Sequence, residues 1–257
     1  MRLCLLLLVF LGTSANGDDW SPPKNPDPHA ILREAKTDTG AGRYEDALAK
    51  HIWFHKNVLS IDPAMYGVRL SFALSYWGEL AKEHPPALKK LKEIRDQAKK
   101  SVMEETDIRE SFHDMAAIND QLEEVTLTKT VFEALDTKNP NIAKQVFDLA
   151  KPALVQDKAY QLLAKYVAPE DDFNRMLETY KHGQKLAEDP QFGSRHLNFA
   201  NNSFANETTT LVAILAVNNR MKEAEEIATS ARAAWNDESF HTSLENALKG
   251  IVPAPWP

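Results

Sequence analysis

The sequence predicts an all-α protein, and three observations carry that expectation. Glycine is scarce, at 9 of 257 residues, while Ala, Leu, Lys and Glu are abundant. Those side chains lose little rotamer freedom in a helix, where Gly is entropically costly. No stretch shows the repeated Val/Ile/Thr-rich alternation, closed by Asn-Gly turns, that marks hairpins. Capping pairs recur instead, at Asp62-Pro63, Asn139-Pro140 and Asp189-Pro190. Each puts a side-chain oxygen where a first-turn N–H lacks a partner, followed by a residue with no N–H to satisfy. Pro85-Pro86 marks a further start, as does Pro169, which is followed by the dipole-complementing acids Glu170, Asp171 and Asp172. The segments between these starts are joined by short turns, so neighbouring helices are expected to be antiparallel.

Before the first helix the chain reads differently. Arg2 precedes the apolar run LCLLLLVFLG and the small-residue stretch TSANG. The run falls short of the roughly 20 residues a spanning helix needs and has the order of a secretory signal. Residues 1–17 are therefore expected to be a cleaved signal peptide, with the mature chain secreted or periplasmic and not inserted in a membrane. Cleavage would remove Cys4, the only cysteine, and Arg2, leaving 29 basic and 37 acidic residues and a net charge of −8. Neither a disulfide nor a thiolate site is then available. An acidic chain also repels nucleic acid and anionic lipid at long range, so neither is an expected partner. Residues 18–28, DDWSPPKNPDP, read as a proline-rich extended arm, and residues 251–257, IVPAPWP, as a similar tail. Trp20 and Trp256, one in each, are expected to pack on the helical body at 29–250.

Within that body one pattern returns. GRYEDALAKH (42–51) and NRMKEAEEIATSA (219–231) share a spacing filled by Tyr44, Ala47, His51 and Phe54 in one copy. Met221, Ala224, Ala228 and Ala231 fill it in the other, and Pro140, Ala143, Phe147 and Ala150 in a third. Weaker fits are Met176, Tyr180 and Gly183, and Ala87, Leu91 and Ile94. This spacing resembles the second helix of a tetratricopeptide (TPR-like) repeat. The anchors Ala47, Ala87, Ala143, Met176 and Ala224 lie 40, 56, 33 and 48 residues apart, around a family period of about 34. The resemblance implies an α-solenoid of about five antiparallel helix pairs plus a C-terminal helix at 237–249. Such arrays present long surfaces for protein or peptide binding.

Two groups of residues are candidates for function. On a helix over 43–60, His51 and His55 share one face with Tyr44, Ala47, Leu48, Phe54, Val58 and Leu59. An i, i+4 histidine pair could bind a metal, but zinc needs three or four ligands and no further acid or His shares that face. The two histidines are therefore expected to be packing residues hydrogen-bonded to a neighbouring helix. A metal-dependent enzyme using the pair is the alternative. Trp53 lies between them on the opposite face, with Asp46, Ala49, Lys50, Lys56 and Asn57. It is expected to be covered by the Trp20 arm, or else to anchor a partner.

The second group is NFANNSFANETTT (198–210), where Asn198, Asn202 and Asn206 follow one helix edge. Asn is a mediocre helix former, and its amide offers both donor and acceptor. In the family resembled, the first helix of each pair lines the concave groove. These three residues are accordingly candidates to hold a peptide backbone, with a solvated polar edge as the competing role. The same stretch carries two sequons, at Asn201 and Asn206. Ser71, Ser75 and Gly78 read as a small-residue packing ridge, beside an Arg69 of open role. The basic residues of 87–100 and the acids of 104–124 are expected to neutralise each other. With no GxSxG, no phosphate loop and no spaced metal-ligand set, neither catalysis nor a cofactor is expected. A structural cell-envelope component is the remaining alternative.

Overall fold

The computed structural model describes residues 20–189, 191 and 193–255. The expected signal peptide, Pro190 of the third capping pair and Trp256 lie outside the described residues. All regular structure among the described residues is helical. No described helix is long and apolar enough to cross a membrane. The chain divides between Leu91 and Lys92 into two compact units.

In the first unit, α1 (Pro28–Gly40) pairs with α2 (Tyr44–Ile61). Asp27 caps α1 by accepting from the His29 amide at 2.9 Å, ahead of Pro28. Gly42, at φ +73°, makes the turn into α2, in the left-handed region where only glycine is unstrained. Asp62 accepts from the Ala64 amide at 3.0 Å and opens a 3₁₀ turn, Pro63–Met65, rather than the long helix the capping pair predicts. The chain continues as α3 (Tyr66–Leu70), breaks at Ser71, and resumes as α4 (Phe72–Glu83). The small-residue ridge is not formed, because Ser71 and Ser75 face solvent and Phe72 is 62% exposed. Gly78 alone of the three is buried. Leu32, Phe54, Val58, Met65 and Ala73 form a core here, with Trp53 and Tyr76 packed against it.

Next comes α5 (Pro85–Met103), followed by α6 (Ile108–Gln121), α7 (Val125–Lys138), α8 (Pro140–Gln156) and α9 (Tyr160–Tyr166). Lys92 and Arg95 both reach Glu124, so part of the basic run is neutralised just beyond α6. The salt-bridge and hydrogen-bond pairing holds the Glu124 carboxyl below the usual range. The last four helices are α10 (Pro169–Ala187), α11 (Gly193–Val217), α12 (Met221–Ala234) and α13 (Glu238–Leu248). Asp172 returns to the backbone of Ala168 at 3.0 Å and fixes the start of α10. α7 packs on α8, while α10, α12 and α13 all pack on α11. The short α9 lies against α8 and α11 instead of pairing with α10.

The repeat-like positions divide: Met221 is 41% exposed and Tyr44, Ile94 and Phe147 are half-buried, whereas the small ones are sealed. Ala47, Ala87, Leu91, Ala143, Ala150, Ala224, Ala228 and Ala231 have no exposed surface. At Gly183 a Cβ would stand 2.8 Å from that of Ala200, so α10 and α11 touch almost backbone to backbone.

Candidate functional site

The two candidate regions lie in different units and are built by different means. In the first, His51 is 1% exposed and lies on the indole of Trp77, ring centroids 5.5 Å apart. Trp77 is itself held by its Nε1, which donates to the Ala87 carbonyl at 3.2 Å. Neither nitrogen of His51 has a hydrogen-bond partner among the described residues. That corrects the expected hydrogen bond to a neighbouring helix: the ring packs as an aromatic plate. Its pKa is pushed down from 6.5 to about 4, because burial disfavours the imidazolium. His55 meets the other aspect of Trp77 edge-on, and its Nε2 lies 3.1 Å from Nη1 of the buried Arg69. A guanidinium carries no acceptor, so His55 Nε2 accepts this bond and its proton sits on Nδ1. Trp77 contacts both histidine rings, and a cation already occupies His55's lone pair. Among the described residues no three His, Cys, Asp or Glu side chains group as a metal site.

The opposite face of α2 differs from its polar reading. Lys50 is 6% exposed, not solvated, because α1 lies over it and supplies acids. Its ammonium pairs with Asp38, which Arg43 also binds at 2.9 Å through Nε, and Glu34 stands 3.6 Å away. Helical projection shows which residues share a face but not which face the preceding helix covers. Trp20 closes this side, edge-on to Trp53 at 6.3 Å and 5.6 Å from the Lys50 ammonium. The arm therefore lies on Trp53.

In the second unit the three asparagines follow one edge of α11 but stand in different surroundings. Asn198 and Asn202 are exposed. Asn206 is half-buried, and its Nδ2 donates to the backbone carbonyl of Ala254 at 2.9 Å. The tail reaches this point through the end of α13. Gly250, at φ +81°, donates to Ala247, and Ile251 donates to Asn246, the pair of bonds of a Schellman cap. The cap reverses the chain across α11, where Val252 packs against both cores of the unit.

Asn206 stands between two hollows. Asn202, Thr209, Ser243 and Asn246 line one of about 440 Å³, with Pro253 at its wall. Phe147, Lys151, Met176 and Thr210 line the other, of about 350 Å³, with Pro255 at its wall. Lys151, on α8, is a residue the sequence did not single out. Burial pushes its pKa down, against the opposing pull of Glu207 and Asp172. Asp148 beside it is committed to Arg109 at 2.8 Å, and Glu207 accepts from Ser203 at 2.9 Å. A lone lysine on an amphipathic helix carries no sign of such a hollow, which tertiary packing alone creates. The Asn206 sequon is closed in this fold, since its amide is engaged and Thr208 has no exposed surface.

No family model, curated protein or solved structure matches this chain.

Proposed function

We propose that this protein is a secreted or periplasmic scaffold of TPR-like helical repeats that binds an extended segment of protein along α11, without catalytic activity. One observation carries the reading: Asn206 donates to a main-chain carbonyl of a proline-rich segment outside regular secondary structure, namely the chain's own residues 251–255. An amide aimed at a backbone carbonyl reads conformation rather than side chain, which suits a peptide groove. Exposed Asn202 and Asn198, one and two turns back along the same edge, offer the same chemistry to a longer ligand. The buried small residues at the repeat positions support the solenoid part of the reading.

The test is hydrogen–deuterium exchange with a synthetic peptide covering residues 250–257, carried out on the Gly250→Val variant, whose strained cap frees Asn206 from the chain's own tail. Slowed exchange along α11 and at the end of α13, abolished by Asn206→Ala, is the expected result. Protection confined to other helices, or none, would remove α11 from the proposal.

A further inference from the structure

The tail's own chemistry suggests what the groove accepts, an inference that rests on the reading of α11 as a peptide site. Pro253 and Pro255 flank the one residue, Ala254, whose carbonyl Asn206 holds. Pro253 borders the hollow on one side of Asn206 and Pro255 the hollow on the other, while the carbonyl between them meets the amide. Proline has no N–H, and between Ile251 and Pro255 the main chain offers donors at Ile251, Val252 and Ala254 only. The Ile251 donor is already used by the Schellman cap. A proline-containing ligand therefore leaves few donors unsatisfied when it is laid on a side-chain edge. It also loses little entropy on binding, because its extended conformation is already favoured.

We infer that the α11 groove is a receptor for extended Pro-x-Pro segments of another protein, and that residues 251–255 hold it as an intramolecular competitor. The outside segment replaces the tail residue for residue: a proline against the mouth of each hollow and the intervening carbonyl on Asn206. The closed state is held by one side-chain hydrogen bond and the half-buried Val252, Pro253 and Pro255, while Ile251 and Ala254 remain exposed. A tethered ligand acts at an effective concentration of order millimolar, so even this modest seat suppresses weak outside ligands. The tail thereby sets a threshold that only a longer or better-matched segment passes, for instance one reaching Asn202 and Asn198.

The experiment uses the full-length chain and a fluorescent peptide, Ile-Val-Pro-Ala-Pro with both ends blocked, read by anisotropy. Gly250→Val releases the tail without shortening the chain, since valine disfavours φ +81° and its Cβ would meet Val217 at 3.0 Å. The double substitution Pro253→Asp with Pro255→Asp is an independent way to release it, should the first variant fold poorly. Both released proteins are expected to bind the peptide at least about tenfold more tightly than the wild type does. Replacing both peptide prolines by alanine should weaken binding about tenfold, and Asn206→Ala in the released background should weaken both peptides alike. Equal binding of the proline and alanine peptides, both lost on Asn206→Ala, would overturn the Pro-x-Pro class and leave the groove. Equal binding by wild-type and released proteins would overturn the competitor role. No binding to either released protein would overturn the groove itself.

Discussion

The imidazole of His51 lies on the indole of Trp77 with planes 24° apart and no hydrogen bond to either ring nitrogen among the described residues. Burial keeps the folded-state pKa at about 4, whereas the unfolded chain takes a proton near 6.5. Above pH 6.5 neither state is protonated and the histidine costs nothing. As pH falls from 6.5 to 4 the unfolded state alone gains the proton, so stability is lost across that window. The loss amounts to about 3 kcal/mol at its lower end. Urea unfolding at pH 7.5, 5.5 and 4.5 should show this slope in the wild type, and His51→Phe, which retains an aromatic plate, should flatten it by that amount. An equal slope in both proteins would show that other groups carry the acid response.

The edge-on contact of Trp20 with Trp53 makes the arm detectable. Trp20→Ala should raise acrylamide quenching of the remaining fluorescence and shift its emission to the red, because an indole that lay under the arm meets water. Adding Trp53→Phe should remove the newly quenched fraction. If quenching rises without Trp53 being its source, the arm protects a different tryptophan.

The limits of the sequence reading follow from where each signal resides. Helix type was legible because composition and capping are local: Asp62 and Asp172 each make the backbone bond that such residues offer at helix starts, although Asn139 makes none and Asp27, assigned to the arm, caps α1. The alanine positions were legible because small residues at helical spacing mark close approach, and they are buried without exception. The burial of Lys50 was not legible, since it depends on Glu34 and Asp38 of another helix arriving over it. The ridge of Ser71, Ser75 and Gly78 failed because α1 and α2 cover the side of α4 that carries Ala73, Leu74 and Trp77, which leaves Ser71 and Ser75 in solvent. Asn206 was legible as a backbone-binding amide, but its partner Ala254 lies 48 residues away and no local pattern joins them.

The near-contact of α10 and α11 gives a packing test. Gly183→Ala would place its new methyl 2.8 Å from the Cβ of Ala200, a distance that forces the helices apart. Overpacking of this kind costs about 1–3 kcal/mol, more than alanine's better helix propensity returns. The denaturation midpoint should therefore fall, and Ala200→Gly in the same chain should recover most of the loss. Destabilisation that the second substitution fails to relieve would place the strain elsewhere.

The buried charges of the first unit provide the sharpest energetic contrast. Asp38 and Lys50 are 4% and 6% exposed; Asp38 is the nearest acid to Lys50, and Lys50 and Arg43 both pair with Asp38. Removing Asp38 alone leaves the Lys50 ammonium buried with only the more distant Glu34, at 3.6 Å. An uncompensated buried charge of this kind costs about 3–5 kcal/mol, whereas replacing a whole pair by apolar groups of similar volume is often neutral. Asp38→Leu should therefore destabilise strongly. Lys50→Met should cost less, because Arg43 still neutralises Asp38. The double substitution should fall closer to the wild type than Asp38→Leu does. Thermal unfolding of the four proteins measures the coupling, and strictly additive losses would mean that water, rather than Lys50, satisfies Asp38 in solution.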